Sequence, residues 1–403
     1  MKQTLQNTNV SNQTVILRVD YNVPMNNGMI LDDTKIKETL DTINYLLKEN
    51  CKIIILSHLG KIKTEADKKK NSLEPIAKRL KELLKQEVYF SKENFNPELK
   101  LRVQKLKPKE ILMLENTRFL DVPNKLESKC ETQLSEFWAS LGTVFVNDAF
   151  GTSHRRHASN YGISKYLPSC IGFLMQKEIK NLNELVKNPE HPFVVVMSGA
   201  KFDDKIVLIE KLIEKCDYLL CGGAIANTCL RALDFSVGQS LASIDYFIIE
   251  RIKKMMLKYK DKFVLPLDAI VGSTYDENYV KYKRIDKIDD NDMILDVGIK
   301  TLEKFKKIID SSKTVFVNGT LGMYENKKFA NGTKEFFRIL SESNAKVIIG
   351  GGDSASAARN LGYQNKFTYI SSGGGATLEY LSTDSLPALD NIKEGVEIET
   401  LDL

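Results

Sequence analysis

Two Arg-rich points stand out in a chain with 11 Arg against 47 Lys. One is Glu115-Asn116-Thr-Arg118. The other is Asn147-Asp148-Ala-Phe-Gly151-Thr-Ser-His154-Arg155-Arg156, followed at once by His157. Guanidinium groups grip carboxylate and phosphate through paired hydrogen bonds, so these points suit a small, highly anionic substrate. Arg18-Val-Asp20-Tyr-Asn22 and Ser57-His58-Leu-Gly60 add further polar groups in the first half. Asp20 and Asn22 could equally form a turn. The second half offers different chemistry: Ser198-Gly-Ala-Lys201, Cys221-Gly-Gly223, Asn318-Gly-Thr-Leu-Gly322, Gly350-Gly-Gly-Asp353-Ser354 and Ser371-Ser-Gly-Gly-Gly375. Glycine lets backbone N–H groups at helix N-termini approach phosphate oxygens, which suits a nucleotide. Ser354 could cap a helix over Ala355–Asn360. Asp353 could be a cap or could hold Mg²⁺. Lys201 and Lys205 lie four apart, either as a functional pair or as a solvated helix face.

The elements that would position these groups follow from hydrophobic pattern. Continuous apolar runs at Val15–Val19, Ile53–Leu56, Ile111–Leu114, Val144–Val146, Phe193–Met197, Tyr218–Leu220, Val315–Val317, Val347–Ile349 and Phe367–Ile370 predict strands buried on both faces. Amphipathic stretches at Lys35–Lys48, Leu73–Lys85, Cys130–Leu141, Asp204–Cys216, Thr301–Ile309 and Thr333–Ser341 predict the intervening helices. Alternation of the two predicts an α/β protein with parallel sheets. Each chemistry-bearing segment then follows a strand, at the edge where open parallel sheets bind ligands.

The pattern separates into two Rossmann-like domains. Residues 1–170 form the first, completed by the C-terminal tail 386–403. Residues 171–192 form an interdomain helix and linker, which stops at Asn188-Pro-Glu-His-Pro192. Residues 193–385 form the second. The 403-residue length accommodates this, and a net charge of +5 is too small to argue for nucleic acid. No apolar run reaches the ~20 residues of a membrane span. The six Cys form no Cys-x-x-Cys pair and no metal pattern with the four His, so reduced thiols in a cytoplasmic protein are expected. Neither G-x-x-x-x-G-K-[ST] nor G-x-G-x-x-G occurs, which argues against a P-loop kinase and a two-domain dehydrogenase. What remains is phosphoryl transfer, which needs positioning and positive electrostatics more than a side-chain nucleophile.

The ordered set Arg18-Val-Asp-Tyr-Asn-Val-Pro24, Ser57-His-Leu-Gly60, Leu114-Glu-Asn-Thr-Arg-Phe119, Val146-Asn-Asp-Ala-Phe-Gly-Thr-Ser-His-Arg155, Gly199-Ala-Lys201 with Asp204-Lys205-Ile206, Gly350-Gly-Gly-Asp-Ser354 and Gly373-Gly-Gly-Ala376 resembles the phosphoglycerate kinase family. The resemblance implies a glycolytic kinase that moves the acyl phosphate of 1,3-bisphosphoglycerate to ADP with Mg²⁺, giving 3-phosphoglycerate and ATP. It implies a cytoplasmic monomer without nucleic-acid or membrane partners. It also implies that Asp20, Tyr21, Asn22, Lys35, His58, Leu59, Gly60, Lys61, Arg118 and Arg155 hold phosphoglycerate. Lys205, Glu325, Gly351, Gly352, Asp353 and Ser354 would hold the nucleotide, with Asp353 at the metal. Lys35, Lys201, Gly352 and Gly374 would serve catalysis. Lys35 replaces an essential family Arg, Lys61 stands where many members have Arg, and Val317-Asn-Gly-Thr320 replaces the family's Trp-Asn-Gly-Pro. Ser198 replaces a Gly, and Cys221 and Ile294 replace Gly near the adenine pocket. These departures support an alternative: a diverged, weakly active member acting as a phosphoglycerate- or nucleotide-binding regulator.

Overall fold

The computed structural model describes residues 2–200, 202, 205–274, 276 and 278–395. The chain forms two compact units, one of residues 1–180 with 385–403 and one of residues 181–384. In the first unit six strands form a parallel sheet: β1 (Thr14–Val19), β2 (Lys52–Leu56), β3 (Val88–Ser91), β4 (Ile111–Leu114), β5 (Val144–Asp148) and β6 (Ser169–Ile171), in the order β3-β4-β2-β1-β5-β6. Burial alternates between the sheet's two faces. Val15, Leu17, Ile53, Ile55, Ile111 and Met113 join one core, whereas Ile16, Ile54, Leu56, Leu112 and Leu114 join another with Trp138 and Phe145. Each such side chain contributes roughly 1.5–3 kcal/mol by leaving water. A continuous apolar run is therefore what a strand covered on both faces requires.

The second unit repeats the plan with β7 (Phe193–Met197), β8 (Tyr218–Cys221), β9 (Phe263–Val264), β13 (Thr314–Asn318), β14 (Lys346–Gly350) and β15 (Tyr369–Ile370), ordered β9-β8-β7-β13-β14-β15. Between β9 and β13 lies a feature absent from the sequence reading. An antiparallel sheet of β10 (Asp268–Gly272), β11 (Lys281–Arg284) and β12 (Met293–Val297) runs in the order β11-β10-β12. Lys281-Tyr-Lys-Arg284 is an edge strand with three of its four residues charged, so it carries no apolar run by which to find it. β3 and β6 were missed for a similar reason: both are short edge strands.

The helices follow their predicted places with adjusted ends. Lys35–Lys48 is two helices, Thr34–Lys37 and Leu40–Lys48. The helix expected at Asp204–Cys216 spans Ile206–Lys215, and Asp204 lies outside the described residues. Helix Phe173–Lys187 carries the chain from one unit into the other. The C-terminal segment belongs to the first unit, where Ala388 N donates to Ser153 O at 3.0 Å and Gln3 N donates to Lys393 O at 2.8 Å.

Candidate functional site

In both sheets the strand order reverses beside the first strand of the unit, between β1 and β5 and between β7 and β13. Such a reversal opens a crevice at the carboxyl ends of the strands. In the first unit it brings together residues far apart in sequence. Asp20, just past β1, takes the Lys35 ammonium at 2.7 Å. His58 Nδ1, just past β2, lies 3.8 Å from the other Asp20 oxygen. Burial opposes ionisation of Asp20, but the Lys35 charge, with Arg18 nearby, more than offsets this and holds its pKa below the ordinary carboxylate value. Burial pushes His58 well below its usual pKa, Arg118 and Lys35 adding to the effect, so His58 is neutral at pH 7 and its contact with Asp20 is not an ion pair.

The loops are pinned to one another by backbone contacts. Asn22 Oδ1 accepts from Gly60 N at 2.9 Å, and Arg118 Nη1 donates to Gly60 O at 3.1 Å. Asn116, fully buried, donates from Nδ2 to Leu59 O at 2.7 Å and to Asn71 O at 2.9 Å. Asn22, Leu59, Gly60 and Arg118 thus hang on one framework. Among the described residues Arg118 Nε is buried without a hydrogen-bond partner, a donor that an anion would satisfy. Arg155 is exposed, with Nε donating to His154 Nε2 at 3.0 Å. Lys61 is exposed. Tyr21 departs from its expected place. Its side chain is fully buried with its hydroxyl 2.8 Å from Thr39 Oγ1, and its backbone N–H donates to Ser57 Oγ at 2.9 Å, so it shapes the loop from within. Leu59 is likewise buried, with its carbonyl already engaged by Asn116.

Behind this framework lies a charged network that the sequence reading did not single out. Arg18 is wholly buried, donates from Nε to Ser159 Oγ at 2.8 Å and places Nη2 3.4 Å from His58 Nδ1. Glu127, also wholly buried, accepts from Ser159 N at 3.0 Å and from Ser159 Oγ at 2.5 Å. Arg18 and Glu127 neutralise each other through Ser159 and back the His58 ring. An Arg within an otherwise apolar strand was the available signal for Arg18; Glu127 sits in a polar loop that gave none.

Burial pushes His157 down to about 3, the Arg118 and Arg18 charges helping, although Glu127 Oε1 lies 3.9 Å away. His157 therefore stays neutral in the folded chain. As pH falls below 6.5 the unfolded chain takes up a proton that the folded chain refuses until about pH 3. The stability this residue contributes above pH 6.5 is lost progressively over that window, by about 1.4 kcal/mol per pH unit at most. Urea unfolding of the parent and His157→Gln at pH 7 and pH 5 should show the parent losing about 2 kcal/mol more than the variant. Parallel losses would exclude His157 as the source.

In the second unit, helices Gly223–Ala232, Gly352–Asn360 and Gly375–Thr383 start at glycines that follow β8, β14 and β15. Gly351 has φ 94° and Gly374 has φ 56°, left-handed values that favour Gly. A Cβ on Gly351 would meet Asn318 Nδ2 at 2.4 Å, whereas Gly352 and Gly374 have nothing within 4 Å of that position. Those two glycines leave clear access to the N–H groups of their helix starts. Ser354 is not the cap. Gly351 precedes the helix, and the Ser354 hydroxyl lies inside it, donating to Gly350 O at 2.6 Å and accepting from Gly319 N at 3.3 Å. It ties β13 to β14 and leaves no hydroxyl hydrogen for a ligand. Among the described residues Asn318 Oδ1 is buried without a partner.

Lys205 Nζ donates to Ser198 O at 2.5 Å, at the turn after β7. Lys201 lies outside the described residues. A cavity of about 210 Å³ is lined by Gly199, Gly223, Thr320, Gly322, Glu325 and Asp353, with apolar walls from Leu230, Leu241, Ile285, Ile294 and Leu321. Apolar walls with a polar, glycine-lined end match a base-plus-phosphate ligand. Asp296 also lines it, a residue not anticipated. Its carboxylate accepts from Gly332 N at 2.6 Å and Val297 N at 2.9 Å, and burial pushes it up to about 7. Among the described residues no group of three or more His, Cys, Asp or Glu could hold a metal by itself.

Fold and sites define a two-unit α/β phosphotransferase, with an anion-gripping cluster in one unit and glycine-started helices in the other. Residues 5–384 match the family model described as phosphoglycerate kinase. The chain is 46% identical over 396 residues to a phosphoglycerate kinase of Macrococcus caseolyticus, covering 98% of this chain and 100% of that one. It is 46% identical over 397 residues to that of Enterococcus faecalis, covering 98% and 99%. The solved phosphoglycerate kinase of Coxiella burnetii superposes with TM-score 0.85 at 33% identity, covering 97% of this chain and 98% of that chain. The chain belongs to the phosphoglycerate kinase family.

Proposed function

We propose that the chain catalyses transfer of the acyl phosphate of 1,3-bisphosphoglycerate to ADP, giving 3-phosphoglycerate and ATP in glycolysis, with the acid on the first unit and the nucleotide on the second. The observation that carries the assignment of ligands is the split in donor chemistry: side-chain cations and a buried Arg118 Nε without a partner among the described residues on one unit, open glycine helix starts on the other. Asp20, Asn22, His58, Arg118 and Arg155 hold the phosphoglycerate, while the backbone of Tyr21, Leu59 and Gly60 shapes its loops and exposed Lys61 adds charge at the rim. Neutral His58 presents a hydrogen bond to an oxygen of the acid. Lys35 supplies charge to the phosphoryl group.

On the second unit the N–H groups at Gly351, Gly352 and Gly374 receive phosphate oxygens, Lys205 follows them with its ammonium, and Glu325 takes the ribose hydroxyls. Ser354 holds the turn beneath them. Lys201 meets the charge that builds on the transferring group. Mg²⁺ suits this donor set. Asp353 lines the cavity at the start of helix Gly352–Asn360, and Mg²⁺ is held well by one or two carboxylates together with substrate phosphates and water. When bound, the ion would neutralise phosphate charge. Phosphoryl transfer requires nucleophile and leaving group in line, so the residues' work is positioning and electrostatics. The enzyme is read as a cytoplasmic monomer, in keeping with its six free thiols.

Arg118→Ala tests the division of ligands. It removes a bidentate anion grip, which should raise KM for 3-phosphoglycerate at least tenfold and leave KM for ATP within about twofold. A shift in the ATP value instead would reverse the assignment.

A further inference from the structure

A second, larger cavity lies in the nucleotide-side unit and belongs to neither site described above. It has a volume of about 630 Å³, within the ~300–1,000 Å³ of ordinary ligand sites. Its apolar walls come from Leu230, Leu233, Met256, Leu257, Phe263 and Pro266. Leu233 and Leu257 are 43% and 74% exposed, so the cavity is an open apolar surface that folding leaves in contact with water. Its polar lining is lopsided. Lys253, Lys260, Arg284 and Lys304 supply positive charge, and Asp286 is the one carboxylate among the described lining residues. Arg284 already holds Asp286, with Nε at 2.9 Å and Nη2 at 3.1 Å. Three ammonium groups therefore face an apolar cavity without a carboxylate within ion-pair distance among the described residues.

Lys304 is the most telling of them. It is half-buried, and among the described residues its ammonium has only a long contact of 3.5 Å to Leu265 O. Burial lowers its pKa. A desolvated cation beside an apolar wall gains more from an anion than a solvated one does.

We propose that this cavity binds a small amphipathic monoanion, a carboxylate on a single apolar chain or ring. The carboxylate sits between Lys304 and Lys253, and the apolar body lies on Leu230, Met256, Leu257 and Phe263. The site is separate from the nucleotide cavity, although Leu230, Pro266 and Ile285 line both.

Decanoate is a suitable probe, titrated calorimetrically into the full chain with saturating ATP and Mg²⁺. The expected result is saturable binding at one site per chain. Lys304→Gln should weaken it about tenfold, and decyltrimethylammonium, the same chain with opposite charge, should bind at least tenfold more weakly. Leu257→Asp places a carboxylate on an exposed wall position, so the fold tolerates it. That variant should lose decanoate binding while keeping kinase activity. Equal binding of the two probes, no effect of Leu257→Asp, displacement of decanoate by ATP, or no saturable binding would each overturn the proposal.

Discussion

Lys35→Ala should lower kcat by about 10²–10³ while the enzyme stays folded. The side chain leaves the short helix Thr34–Lys37 and reaches Asp20 at 2.7 Å, at the carboxyl end of β1 where the acid is proposed to bind. Asp20 holds the ammonium in place and does not neutralise its surroundings, because Arg18 and Arg118 stand close by. The loss of the ion pair affects stability little. Lys35 is about one-third exposed, so solvent screening reduces its share to on the order of 1 kcal/mol. A drop of two to three orders of magnitude in rate would thus come from lost charge on the transferring group. Lys35→Arg should match or exceed the parent, since a guanidinium keeps the charge and adds planar, paired donors. Full activity in Lys35→Ala, by steady-state kinetics on protein shown to be folded, would mean that Lys35 serves only to anchor Asp20.

The second large effect is expected at Gly352. This glycine opens helix Gly352–Asn360 with no neighbouring atom within 4 Å of a built Cβ, and its φ is not in the left-handed region. Gly352→Val should therefore fold normally, with a small helix-propensity change. The same branched side chain would fill the space through which a phosphate reaches the helix N–H groups. Loss of one charge-assisted hydrogen bond costs roughly 1.5–3 kcal/mol, so KM for ATP should rise about 10- to 100-fold while KM for 3-phosphoglycerate holds. Gly374 would be a poorer test, because its φ of 56° and ψ of −116° strain any residue with a Cβ. An unchanged ATP KM in a folded Gly352→Val would remove Gly352 from the nucleotide site.

How much of this was legible before the structure depends on the kind of residue. Ile53-Ile-Ile-Leu56 and Phe193-Val-Val-Val-Met197 announce central strands, because a strand buried on both faces must be apolar at every position. The chemistry at their ends, from His58 to the glycines after β14, followed from that placement. Edge elements carry no such signature, which is why Lys281–Arg284 and the antiparallel sheet around it went unseen. Side-chain direction was equally hidden. Tyr21 and Asn22 are adjacent, yet the Tyr21 ring goes to the core and Asn22 Oδ1 holds Gly60 N. Ser354 reads as a helix cap by residue type, but the left-handed Gly351 takes that place and moves the serine one turn inward. Residues that act through others, such as Glu127 behind Arg18, emerge only when a fold buries two charges that must then find each other.

The most direct measurement of the central claim is a coupled assay on the full chain with 3-phosphoglycerate, ATP and Mg²⁺, in which the acyl phosphate formed is consumed by a reductive step and read as nicotinamide oxidation. Turnover should require all three components and stop when any one is withheld, and GTP in place of ATP shows how far the base is read. Turnover near zero, with calorimetry still showing both ligands bound, would contradict a kinase and favour a member of the family that binds its ligands without transferring phosphate.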